Sequence, residues 1–197
     1  MPTTSLSAIF AAIDAANAQD PRTTTVAGED RPYELVYGER MTAMLAHFAP
    51  AAPEALQIAA RGQHIERWSI PRSDYPADRV GYLTWRNDLK ELHARRLGEI
   101  IDDLAQPTEL KERVQFLVRK KKLKSDPDTQ TLEDVICLVF LRYYAAEFAA
   151  DHEAEKVVDI LSKTLKKMSE RGINAALGLP LEPAVRDLVN KAAGGGA

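Results

Sequence analysis

Apolar residues recur along this chain at intervals of three and four, the spacing of one helix face, and nowhere in the alternating pattern of a half-buried strand. The first such segment is Ser5–Ala18, with Ile9, Phe10 and Ile13 on one stripe. Pro32 opens a helix to about Phe48, and Pro53 opens another to about Trp68, since proline is suited to a first helical turn. A loop carrying Pro71 and Pro76 leads into a long helix from about Arg79 to Leu104. Further helices are predicted from Pro107 to about Lys121, Thr131 to Ala149, His152 to about Arg171, and Pro183 to Ala192. No Asn-Gly or Asp-Gly hairpin signal and no short-period repeat accompanies them. The expected fold is all-α, a single helical domain over residues 1–192 with about eight helices and a flexible tail, AGGGA, at 193–197.

Two stripes carry an ionisable residue where an apolar one is expected. Leu89, His93, Leu97, Ile100 and Leu104 share a face, which turns His93 into the core; Leu56, Ala60 and His64 do the same for His64. Asp134 opens the run VICLVFL, where an unpaired carboxylate is costly unless a cation, donor or metal compensates. Thr131 followed by Asp134 also fits a helix N-cap, so Asp134 has a structural explanation as well. Hydrogen-bonded burial is likewise the ordinary fate of a lone core histidine. His47 and His152 flank helix ends and read as exposed.

With 197 residues, 45% of them hydrophobic, the chain can bury one good core. A single cysteine, Cys137, excludes a disulfide framework and a paired-cysteine metal site. No stretch approaches the length of a membrane span, and the expectation is a soluble cytoplasmic protein without a membrane partner. The net charge of −3 conceals a segregation. Arg61–Arg96 holds eight Arg/Lys against five Asp/Glu, Glu109–Lys124 seven against two, and Glu133–Ile160 two against seven.

The first basic segment is also the aromatic one. Arg61, Gln63, Arg67, Trp68, Arg72, Tyr75, Trp85, Arg86 and Lys90 are residues that hold phosphate or stack on a planar group, which suits an anionic, phosphate- or nucleotide-like small molecule. Packing of the two tryptophans onto the domain is the plainer alternative. Walker, dinucleotide and GxSxG motifs are absent.

The strings QHIERWSIPRSDYP, GYLTWRNDLKELHA, VRKKKLKSDPDTQTLEDVICLVFL and KKMSERG resemble domain-of-unknown-function family 4202, from about Ala12 to Val189. Members of that family sometimes carry the label glutamyl-tRNA synthetase, and KMSER is similar to a class I synthetase loop. The parallel α/β nucleotide domain such an enzyme needs has no counterpart here. A more distant resemblance is to the HD superfamily of helical metal-dependent phosphohydrolases. It implies that Asp134 is a distal metal-binding aspartate and His93 an accessory histidine, with His64, His93 and Asp134 catalytic and Glu39 completing a divalent metal site. The resemblance departs where its first histidine falls on Tyr37 and its His-Asp pair on Gln63 and His64.

Three functions follow in order. The first is an HD-like hydrolase of a phosphoester or nucleotide-type substrate. The second is a non-catalytic module of that fold binding an anionic small molecule. The third is a helical module whose Arg119–Lys124 edge meets a protein or RNA, with nucleic acid the less favoured partner.

Overall fold

In a computed structural model the described residues are 6–194; the tail expected at 193–197 lies outside them from residue 195 onward, as does Ser5 at the other end. Helices dominate: α1 (Leu6–Asn17), α2 (Tyr33–Phe48), α3 (Glu54–Arg61), α4 (Arg79–Asp103), α5 (Thr108–Val118), α6 (Pro127–Tyr143), α7 (Ala145–Ala150), α8 (Ala154–Leu165), α9 (Glu170–Gly178) and α10 (Pro183–Gly194). Short 3-10 turns occupy Arg67–Ser69 and Arg72–Asp74. Buried side chains from Ile9 to Ala192 form one continuous apolar cluster. Among the described residues no helix is long and apolar enough to cross a membrane.

The expectation of a strandless chain is corrected by a hairpin, β1 (Thr23–Val26) with β2 (Glu29–Pro32), antiparallel with Val26 opposite Glu29 and Thr23 opposite Pro32. Its two-residue turn is Ala27-Gly28, both with positive φ (52° and 87°), as a turn matching strand twist requires. The sequence hid it because alanine replaces the usual asparagine and because EDRP has no apolar alternation. The hairpin's consequence is positional. Tyr33 donates its backbone N–H to the Arg22 carbonyl at 2.9 Å, so Arg22 and Glu34, twelve residues apart, emerge side by side.

Helix boundaries move for identifiable reasons. The helix expected to reach Trp68 stops at Arg61, because Gly62 lies against α4: a Cβ there would meet Leu97 Cδ2 at 2.4 Å. The chain then turns through Glu66, in the left-handed region at φ 51°, whose N–H is held by Asn17 Oδ1 at 3.0 Å. The resulting turn presents Gln63 and His64 where a continuous helix would have pointed them elsewhere. Gly62→Ala is expected to cost about 1–3 kcal/mol by forcing Leu97 aside, with a lowered urea midpoint as the readout.

Helix α6 begins four residues before the expected Thr131. Asp126 is its N-cap, accepting from Thr129 N–H at 2.9 Å, and Arg113 grips the same carboxylate at 2.8 and 3.1 Å. Arg113 together with the cap holds the Asp126 carboxyl down to about 2. Asp134 is therefore not a cap of its own helix. Tyr144 interrupts the expected Thr131–Ala149 helix into α6 and α7, and the expected His152–Arg171 helix divides into α8 and the start of α9, which Ser169 caps.

Candidate functional site

The site begins where α2 and α3 touch. Gly38 lets the two helices approach, since a Cβ there would stand 2.9 Å from the Arg61 carbonyl. That contact lays the Tyr37 ring on the His64 imidazole, with centroids 4.0 Å apart and planes within 10°. The edge of His64 is fixed by Glu34: Nδ1 lies 3.2 Å from Glu34 Oε2. Glu34 Oε1 in turn accepts from Arg22 at 2.7 Å, and Arg22 is paired with Asp20 at 2.9 Å. Asp20 also accepts the Glu34 backbone N–H at 3.1 Å, so the completely buried carboxylate is held by Arg22 and His64 while its backbone is tied to Asp20.

This network assigns a tautomer. Burial pushes the Glu34 carboxyl up while Arg22 opposes it. With Arg22 against it Glu34 is an acceptor, and His64 Nδ1 is the donor. Burial first, then the nearby guanidinium groups of Arg67 and Arg86, holds the His64 imidazole well below its ordinary 6.5, so the ring is neutral. Its Nε2 makes no hydrogen bond, and with 22% of the side chain exposed it is left open to solvent.

His64 opens into a cleft of about 570 Å3, within the range of small-molecule sites, together with Gln63, Arg67, Arg86, Tyr37 and Tyr144. Arg67 is the unusual member. It lies 4.6 Å over the Trp85 ring and is half-buried, its guanidinium forms neither an ion pair nor a hydrogen bond among the described residues, and burial lowers its pKa. Trp85 is itself anchored by donation to the Ile70 carbonyl at 2.9 Å. Arg86 has only the Tyr82 hydroxyl, at 3.4 Å. Lys120, in a left-handed backbone position just past α5, reaches in beside them, paired with the buried Glu133. Gln63 is 5% exposed and its Oε1 has no partner.

The sequence-derived site is thus brought together only in part. Gln63, His64, Arg67 and Arg86 line the cleft, and His93 stands directly behind, its ring 6.0 Å from that of His64. Arg61 instead ties α3 to α1 through Asp14 at 2.6 and 2.7 Å. Arg72 clasps the Tyr75 and Pro76 carbonyls, Tyr75 donates to Asp88, Lys90 donates to Asn87, and Trp68 and Trp85 lie outside the cleft lining.

The four residues expected to form a metal centre do not converge. Both Asp134 oxygens are occupied: Oδ1 by the Ser169 N–H (2.8 Å) and Gln130 Nε2 (3.1 Å), Oδ2 by the Ser169 hydroxyl. That is the anchor of the α9 N-terminus. Glu39 is held in a two-point pair by Arg31 at 2.7 and 2.9 Å. Among the described residues no group of three or more His, Cys, Asp or Glu side chains could hold a metal ion. The donor set expected from the HD resemblance therefore does not fit a divalent cation.

His93 donates from Nδ1 to the Ile65 carbonyl at 2.8 Å, leaving Nε2 buried and unpartnered. Burial first, then the adjoining His64, holds its pKa down to about 3. Unfolded, the ring takes a proton near 6.5; between that value and about 3 the unfolded chain binds more protons than the native one. Stability present above pH 6.5 is then lost as pH falls toward 3. From pH 7 to pH 5 the wild type is expected to lose about 2 kcal/mol more than His93→Gln, measured by urea unfolding at both pH values.

A second, more open groove of about 760 Å3 runs along α4 and α5, but its charges are already matched, as in Lys111–Asp102, Arg119–Glu91 and Arg95–Glu99. The basic edge expected to meet a partner is also partly spent within the chain: besides Arg119 and Lys120, Lys124 donates to the Lys166 and Lys167 carbonyls.

Arg22, Glu34, Lys120 and Glu133 were missed from sequence, although one signal was available. Glu34, Tyr37, Met41, Met44 and Phe48 are buried at three- and four-residue spacing, which marks Glu34 as an acid on an apolar stripe just as it marked His93. No curated protein and no solved structure matches the chain. Residues 7–189 match the family model described as Domain of unknown function (DUF4202), and the chain belongs to that family.

Proposed function

We propose that the cleft binds a small molecule carrying a phosphate group and hydrolyses its ester without a metal ion. The observation that carries this reading is Arg67: a half-buried guanidinium in no direct ion pair among the described residues, beside a neutral imidazole whose Nε2 is free. An unpaired charge in that position is costly, and an incoming oxyanion removes the cost. Arg86 supplies further positive charge to the same oxygens, while Lys120 on the same lining is paired with Glu133.

In the reaction, His64 Nε2 takes a proton from a water as its oxygen bonds to phosphorus. The ester P–O bond breaks, and the imidazolium returns that proton to the departing oxygen, so phosphoester and water give phosphate and alcohol. Glu34 keeps Nδ1 protonated and steadies the imidazolium; Arg67 and Arg86 take the charge spread over the non-bridging oxygens. The helix order that resembles the HD superfamily, with Gln63 and His64 at its His-Asp position, supports a phosphohydrolase ancestry in which the metal has been replaced by cationic side chains.

A panel of phosphomonoesters assayed in excess EDTA tests this, with phosphate release expected from wild type and none from His64→Gln. Turnover that EDTA abolishes and a divalent cation restores would overturn the metal-free mechanism. Phosphate binding without any turnover would favour the second reading, a non-catalytic anion-binding module, for which the engagement of Asp134 and Glu39 elsewhere is the supporting observation.

A further inference from the structure

The charge segregation along the sequence acquires a meaning in the cleft, because the cleft is the seam between the two kinds of segment. The basic stretches contribute Arg67, Arg86 and Lys120 to the lining, joined by Lys167 from beyond α8. The acidic stretch Glu133–Ile160 contributes Phe140, Phe148, Glu147 and Asp151. Of the four acids lining the cleft, Glu34 is engaged by Arg22 and His64, and Glu133 by Lys120. Among the described residues Glu147 and Asp151 form neither an ion pair nor a side-chain hydrogen bond, and both are exposed.

We infer that the ligand is zwitterionic: a phosphate ester whose far end carries a protonated amine, with the phosphate against Arg67 and Arg86 and the amine between Glu147 and Asp151. The inference rests on the phosphate-binding reading of the same cleft and adds the identity of the other end. Phe140 and Phe148 line the same cleft and offer an apolar surface suited to a carbon chain or ring. Gln63 adds a separate observation: it is nine-tenths buried, lines the cleft, and its Oε1 has no partner among the described residues, so an O–H or N–H of the ligand would satisfy it. A plain dianion such as inorganic phosphate fills one end alone and leaves the acidic rim and Gln63 unanswered.

Polarity of this kind makes a sharp distinction between otherwise matched compounds. A hydroxyl in place of the terminal amine keeps length and hydrogen bonding but removes the charge that the rim carboxylates attract, and each partly exposed pair of this type is worth a few-fold in affinity. Glu147 and Asp151 are surface residues with no internal partner, so changing them leaves the fold and the phosphate end intact.

Isothermal calorimetry on the full chain, with ω-aminoalkyl phosphates and the ω-hydroxyalkyl phosphates of equal length, tests the inference. The amino series is expected to bind the wild type about tenfold more tightly, and the double variant Glu147→Gln, Asp151→Asn to bind both series alike, at the hydroxy-series affinity. Glu147→Lys is expected to reverse the preference toward ω-carboxyalkyl phosphates. Equal wild-type affinity for the amino and hydroxy series overturns the amine end while leaving the phosphate end standing. Failure of both series to bind, with no effect of Arg67→Ala on any of them, overturns the phosphate reading as well.

Discussion

Arg67→Ala is expected to weaken phosphate-ester binding by about two orders of magnitude, the scale of losing a two-point, charge-assisted contact in a half-buried site. The free protein should not pay for it. The Arg67 guanidinium has no ion pair and no hydrogen bond to lose among the described residues; the nearby Glu34 carboxylate favours its charge, while Arg86 and Arg22 bear against it. With these charges opposing one another, the variant should unfold close to the wild-type urea concentration. A lower midpoint would show that the guanidinium supports the fold through Trp85. Arg67→Lys should recover little, because a lysine ammonium keeps the charge but cannot make a forked contact with two oxygens or lie flat on an indole. The His64 imidazole, freed of one repelling cation, should titrate higher in Arg67→Ala than in wild type, as the chemical shift of its ring protons would report. Lost ligand affinity, unchanged stability and a raised histidine pKa together distinguish a binding residue from a structural one.

The helical face was readable where periodicity alone decided the outcome: His93 lies on its stripe, buried and turned inward as Leu89, Leu97 and Ile100 require. His64 was legible for the wrong reason, since its helix ends at Arg61 and a glycine-led turn, not a continued stripe, presents it to the cleft. Asp134 illustrates the opposite failure. Its inward position beside an apolar run was visible, but beyond Gln130 one turn back the donors that satisfy both oxygens come from Ser169, thirty-five residues away on a helix N-terminus, and no local spacing encodes that meeting. The Arg- and Trp-rich segment reads as a site as a whole, whereas of its arginines and tryptophans only Arg67 and Arg86 line the cleft; Arg61 and Arg72 are taken up by Asp14 and by backbone carbonyls. Side chains of one type divide between structure and function according to whether a partner is already within reach, and that is a tertiary fact. The hairpin that delivers Arg22 to Glu34 was illegible because its turn uses alanine.

Glu34→Gln is expected to reduce turnover by about a thousandfold or more while leaving ligand affinity within a few-fold, because the carboxylate acts on His64 and not on the ligand. A buried acid that accepts from the far nitrogen of a histidine base fixes the tautomer and steadies the imidazolium, and its amide replacement, in a serine protease triad, costs on the order of ten-thousandfold. Glutamine at position 34 can turn its amide N–H toward His64, moving the ring proton to Nε2 and removing the lone pair that faces the cleft. The same change removes one of the two carboxylates that hold Arg22, although Asp20 still pairs with it. Breaking one partner of a buried charge network costs about 3–5 kcal/mol when nothing replaces it. The retained Asp20 and the amide's own hydrogen bonds should keep Glu34→Gln well below that figure, whereas Glu34→Ala should approach it. Comparing the two separates the roles. Both should lose turnover, but only Glu34→Ala should show a large drop in unfolding free energy, and Glu34→Asp, which keeps the charge yet falls short of Nδ1, should lie between them. Should Glu34→Gln retain wild-type turnover on a substrate that His64→Gln cannot process, His64 would be working in its other tautomer, and the acid–base assignment of the cleft would have to be reversed.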